Sequence, residues 1–155
     1  MNKKYELTHE TVEVGGSILY RIRALRSFSD VKAGELGGFI ESEANLYHRG
    51  NCWISDNSRV YGNAEVSGNA RVSENAQVSG ESMVFGCAQV YGNAEVSGWV
   101  RVFGNAHILG DACIFNYVYV YEVVKLDHGI WNQSIPIDGN WYLISTTLEK
   151  VLVDG

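Results

Sequence analysis

The chain has 155 residues, 46% of them hydrophobic and 19% charged, with a net charge of −6, a balance that suits one ordinary domain and neither disorder nor general nucleic-acid binding. No apolar run approaches the ~18 to 20 residues that cross a bilayer, and the opening MNKKYELTHE lacks the apolar stretch of a secretory signal. Three cysteines, Cys52, Cys87 and Cys113, with no CxxC pair and no His at ligand spacing, argue against a disulfide framework or a metal site and point to a reducing cytoplasm.

The first elements form a cap over residues 1–38. Tyr5–Val14 and Ile18–Leu25 read as two strands around Gly15-Gly16, a hairpin signal. Simple alternation puts Ile18, Tyr20, Ile22 and Ala24 on one face of the second strand, and Leu19, Arg21, Arg23 and Leu25 on the other. Residues 1–32 carry six bases and four acids, a surplus of +2, so the remainder carries −8. The cap is therefore the place an anion would prefer. The loop Ser27–Gly38 then leads onward through Gly34, Gly37 and Gly38.

Residues 39–116 are a solenoid. Every sixth residue from Ile54 is β-branched: Ile54, Val60, Val66, Val72, Val78, Val84, Val90, Val96, Val102, Ile108 and Ile114. Two positions earlier stand small residues, from Cys52 and Ser58 through Ala64 to Ala112, with Val100 the one larger member. Gly-Asn or Gly-Asp corners such as Gly62-Asn63 and Gly110-Asp111 separate the units, and these residue types tolerate positive φ. Residues two apart on a strand face one way, so each unit points a small and a branched side chain inward. So short a unit cannot bury its own valine and must stack on copies of itself, with backbones ~4.8 Å apart. Ile40 and Leu46, preceded by Gly38 and Ala44, look like an earlier pair of units. The eight-residue step from Leu46 to Ile54 marks a two-residue bulge near His48-Arg49.

These G-N-A-x-V-x units resemble the hexapeptide repeat of left-handed parallel β-helices. The resemblance implies triangular coils of three units each, and commonly a trimer around a three-fold axis. The wider segment YELTHETVEVGGSILYRIRALRSFSDVKAGELGGFIESEANL, with the repeats after it, is similar to the start of phage and prophage proteins carrying N-A-x-V-x-G repeats.

After Ile114 the hexad is read as ending, and residues 117–155 as an antiparallel β-meander. Phe115, Tyr117, Tyr119 and Tyr121 alternate with Asn116, Val118, Val120 and Glu122. Ile130–Ile137 and Asn140–Thr147 flank Asp138-Gly139, a strong hairpin signal, and Leu148–Leu152 forms a short helix or a last strand.

Outward positions fall into three stacked faces. The third holds Glu65, Ser67, Met83, Phe85, Arg101 and Phe103. Its cluster of Met83, Phe85 and Phe103 predicts a covered surface, closed by the chain's own end or by another subunit. Trp99 replaces a corner Asn and projects at an edge as a subunit or cap contact.

Catalytic equipment is sparse. His107 occupies an uninterrupted unit, there is no G-x-S-x-G and no P-loop, and no cofactor is implied. Arg21, Arg23 and Arg26 could clamp a phosphate or carboxylate, with Tyr20, Trp53 and Tyr91 as stacking surfaces. Alternatively these arginines pair with Asp30, Glu35 or Glu41 and fix the cap to the coils. Three functions follow. One is a non-enzymatic, oligomeric phage-type binding protein that sequesters a nucleotide-like anion. The second is a structural module that binds a host or phage protein. The third is an acyltransferase-like enzyme using His107.

Overall fold

The computed structural model describes residues 2–137, 140–145 and 150–152, and from residue 134 onward only strand pairing is considered. The fold is a parallel β-solenoid of about five coils. Most rungs are two-residue strands whose inward member is fully buried, from Ile54 and Val60 through Ile114. Partners lie 18 residues apart, as in Arg59↔Gln77, Gln89↔His107 and Arg101↔Met83, so three units make one coil. The first coil is two residues longer: Ile40 pairs with Val60 and Leu46 with Val66. This is the bulge that the spacing from Leu46 to Ile54 predicts.

Three sheets result. One contains Trp53–Ile54, Arg71–Val72, Gln89–Val90, His107–Ile108 and Lys125–Leu126; another contains Glu65–Val66, Met83–Val84, Arg101–Val102 and Tyr119–Val120. The remaining sheet has ten strands because both ends of the chain extend it. β1 (Tyr5–Val14) and β2 (Ser17–Ala24) form the expected antiparallel hairpin, and β2 pairs with β3 (Leu36–Ile40). β3 then pairs in parallel with Arg59–Val60, so the cap is continuous with the solenoid backbone. At the other end Ile130–Ile137 pairs in parallel with Cys113–Ile114, and Asn140–Ser145 and Lys150–Leu152 then continue the same sheet in antiparallel fashion. The last of these is the strand rather than the helix. Asp138-Gly139 and Thr146–Thr147 lie outside the described residues.

Four details correct the sequence reading. First, the hexad does not stop at Ile114. Val120 and Leu126 continue its phase as buried rungs, and Trp131 closes the next step one residue early by pairing with Ile114. The parallel coils therefore run well past residue 116. Second, Ala44 is exposed, on a short 3-10 turn (Glu43–Asn45) that holds the bulge. Asn45 is buried in its place. Its Oδ1 accepts from the N–H groups of Glu41 and Ser42 at 3.1 and 3.0 Å, and its Nδ2 donates to the carbonyls of Gly62 and Ala64. An amide can satisfy an interrupted coil where an alanine cannot. Third, Leu19 is buried and Ile18 exposed, because register shifts in β1–β2 and β2–β3 break the simple alternation. Fourth, the corner position adopts positive φ even where it is not Gly, at Asp56, Glu74, Asn116 and Glu122.

Candidate functional site

The cap arginines spend their donors inside the molecule. The Nε of Arg21 donates to Glu10 at 2.8 Å, and its Nη1 donates to the carbonyls of Gly37 and Asp56 at 2.7 and 3.0 Å. Its guanidinium lies 4.2 Å over the Phe39 ring. Arg23 pairs with Glu6 directly across the hairpin. Arg26 donates to the His48 carbonyl at 3.3 Å, and among the described residues its buried Nε has no hydrogen-bond partner. Neither Arg21 nor Arg23 meets Asp30, Glu35 or Glu41: Arg21 links Glu10 of the cap to the Asp56 carbonyl of the first coil, and Arg23 pairs with Glu6 inside the cap. Asp30 instead meets Arg71 at 2.6 Å, which holds its carboxyl below the usual range. Glu41 accepts from the Gly62 N–H, and Glu35 from the Lys32 N–H.

The expected stacking surfaces are not brought together. Trp53 is 1% exposed, because Phe28 and Tyr5 of the cap close over it edge-on at 5.4 and 6.4 Å. It is core, not a platform. Tyr91 stands two coils along the same face, with its hydroxyl 3.3 Å from His107 Nδ1. Tyr20 is half-buried on β2.

His48 sits in the bulge, but both ring nitrogens are engaged. Nδ1 accepts from the Lys4 N–H at 3.0 Å, so the proton lies on Nε2, which donates to Glu43 Oε1 at 2.8 Å. The ring stacks on Tyr5 at 4.2 Å. That bond, with help from Lys3, keeps the Glu43 carboxyl below its ordinary range. Burial pushes the Tyr5 hydroxyl upward, and that hydroxyl donates to the Leu46 carbonyl at 2.6 Å. Beside the bulge runs an open groove of about 720 Å³, edged by Glu43, Tyr47, Arg49, Asn63, Glu65 and Glu81. Tyr47 and Asn63 occupy two of its carboxylates, at 2.7 Å to Glu65 and 2.6 Å to Glu81.

The third face carries the most distinctive surface. Phe85 and Phe103 stack at 5.0 Å, and Tyr121 stacks on the far side of Phe103 at 5.2 Å. At the adjoining corner Trp99 stacks on Tyr117 at 6.1 Å, with Arg101 lying over Trp99. Trp99, Tyr117 and Tyr119 are 46%, 72% and 55% exposed, and Met83 is half-buried beside them. The sequence reading named Met83, Phe85, Phe103 and Trp99 but missed Tyr117, Tyr119 and Tyr121. A step of 18 residues from Trp99, Arg101 and Phe103 reaches all three, once the hexad is followed past Ile114.

Residues 64–80 match the family model of the YdcK β-solenoid repeat. The stacked coils make the fold a β-solenoid, and the match covers one short stretch of them. It is also similar to the "Uncharacterized acetyltransferase YdcK" of Escherichia coli (strain K12), with 44% identity over 43 residues. That match covers 28% of this chain and spans only 13% of the relative's length. Among the described residues, no three His, Cys, Asp or Glu side chains converge as a metal would require, and no helix is long and apolar enough to cross a membrane.

Proposed function

We propose that the protein is a non-enzymatic interaction scaffold whose third face meets further copies of the same chain. One observation carries this reading: the aromatic stack of Phe85, Phe103 and Tyr121 continues around the corner into the exposed pair Trp99 and Tyr117. Stacked rings present a rigid apolar surface that loses little side-chain entropy on contact, and clustered exposed aromatics favour burial against a partner. The regular, stacked backbone makes the face stiff, which suits a repeated contact. The anion-clamping alternative has less in its favour, since Arg21 and Arg23 already serve Glu10 and Glu6.

The test is sedimentation velocity on the intact chain and on a Trp99→Glu, Tyr117→Glu double variant. Both side chains are exposed, and an unchanged far-UV circular dichroism spectrum checks that the variant keeps the fold. The reading expects an oligomer for the parent and a monomer for the variant. Identical sedimentation of the two would defeat it.

The partial likeness to a protein named as an acetyltransferase motivates a second reading, acyl transfer with His107 as base. It expects acetyl-CoA turnover that a His107→Ala change abolishes. Turnover that survives the change, or no turnover in the parent, removes it.

A further inference from the structure

Lys4 and Cys52 meet in the joint between the cap and the first coil, and neither has any exposure to solvent. Lys4 Nζ donates to the carbonyls of Cys52 at 2.6 Å and Gly50 at 3.2 Å, and it lies 3.3 Å from Cys52 Sγ. The Phe28 ring covers the same nitrogen at 5.0 Å. Among the described residues, the contacts of this nitrogen are carbonyls, a thiol and a ring, with no carboxylate. Burial lowers the pKa of the Lys4 amine, which raises the share of free amine. Two carbonyls hold Nζ in place, and a sulfur sits within the ~3–3.5 Å of a near-attack arrangement.

We propose that Lys4 and Cys52 are an oxidative cross-linking site, at which a peroxide converts the pair into a sulfenamide bond between Nζ and Sγ. In the first step the thiol sulfur attacks hydrogen peroxide, the O–O bond breaks, and a sulfenic acid and one water result. In the second, the Nζ lone pair attacks that sulfur, the S–O bond breaks, and the departing hydroxide takes the amine proton as a second water. Thiol, amine and one peroxide thus yield one S–N bond and two waters. The sulfur is oxidised and the peroxide reduced. Peroxide is little larger than water, and the neighbouring Asn2 and Lys3 are exposed, so the proposal requires only a local opening of this edge to admit it. The bond would bridge positions 48 residues apart and staple the cap to the coils, as a disulfide staples a loop. Cys87 is exposed and Cys113 has Glu95 Oε2 as its neighbour at 4.0 Å, so neither offers the same chemistry.

The experiment uses the full chain carrying Cys87→Ser and Cys113→Ser, treated with hydrogen peroxide and then denatured for intact-mass measurement. The expected product is lighter than the parent by about 2 Da, returns to the parent mass with a thiol reductant, and yields a digest peptide joining Lys4 to Cys52. It should also melt at a higher temperature than the reduced form. A Lys4→Arg variant should instead take up about 32 Da as sulfinic acid, with no cross-linked peptide. Three results overturn the proposal. One is uptake of oxygen with the Lys4 peptide still free. Another is a product heavier by about 14 Da, which keeps oxygen between nitrogen and sulfur. The third is an unreacted Cys52 at a peroxide dose that oxidises the unfolded chain.

Discussion

The Phe103 ring lies 5.0 Å from the Phe85 ring with the two planes 6° apart, although one full coil separates them in sequence. Parallel in-register coils bring like positions together, so an aromatic that recurs at this interval stacks on its copy. Phe103 is sandwiched, since Tyr121 covers its other side. Replacing Phe103 by Ala should cost about 1–2 kcal/mol, less than a fully buried Phe because the ring is half-exposed. Phe103→Leu should cost less. Urea unfolding at low protein concentration, where association contributes little, measures both.

Gly37 is where the cap enters the coil most tightly. A Cβ there would lie 2.5 Å from the Ile54 carbonyl and 2.7 Å from side-chain atoms of both Ile22 and Trp53. Gly37→Ala should therefore lose about 2–3 kcal/mol through overpacking. Gly34→Ala is the control, because nothing lies within 4 Å and only its φ of +89° opposes the change. It should cost about 1 kcal/mol. Equal losses in thermal unfolding would contradict the packing argument.

Glu74 occupies a corner at φ +58° with its side chain exposed. Gly fills most equivalent corners and adopts this conformation without a Cβ penalty. Glu74→Gly should gain roughly 0.5–1 kcal/mol, visible as a raised Tm, even though glycine usually weakens a β-rich fold. A lowered Tm would show that the Glu74 side chain contributes something the corner geometry does not reveal.

The bulge gives a pH dependence with a definite sign. The Glu43 carboxyl is held below its unfolded value chiefly by the His48 hydrogen bond and then by Lys3. Its stabilisation is therefore complete above the ordinary Glu range near ~4.3 and fades as pH falls through the lower folded value. The side chain is 43% exposed, so the effect is modest. Glu43→Gln should flatten the acid limb of a stability–pH curve below about pH 4.5 and leave neighbouring limbs unchanged. An unchanged acid limb would contradict it.

Where sequence and structure agree, the reason is periodicity. Inward Val and Ile at every sixth position, the two-residue insertion before Ile54 and the Gly15-Gly16 hairpin are all local patterns, and local patterns survive without knowledge of contacts. The misses are non-local. Trp53 points outward from its rung, yet Phe28 and Tyr5 bury it from a different element. Arg21 and Arg23 find Glu10 and Glu6 through hairpin register, which register shifts obscure. Residues Tyr117 to Tyr121 alternate with a period of two, which fits an ordinary strand as well as it fits two inward positions of a coil. Corners at Asn116 and Glu122 without glycine hid the distinction. The same misreading concealed half of the aromatic surface.

That surface is the centre of the functional account, and hydroxyl-radical footprinting of Trp99, Tyr117 and Tyr119 as protein concentration rises tests it most directly. The account predicts strong labelling of all three in dilute solution, and protection that grows with concentration in step with the measured mass. Labelling that stays high while the protein remains a monomer would contradict it.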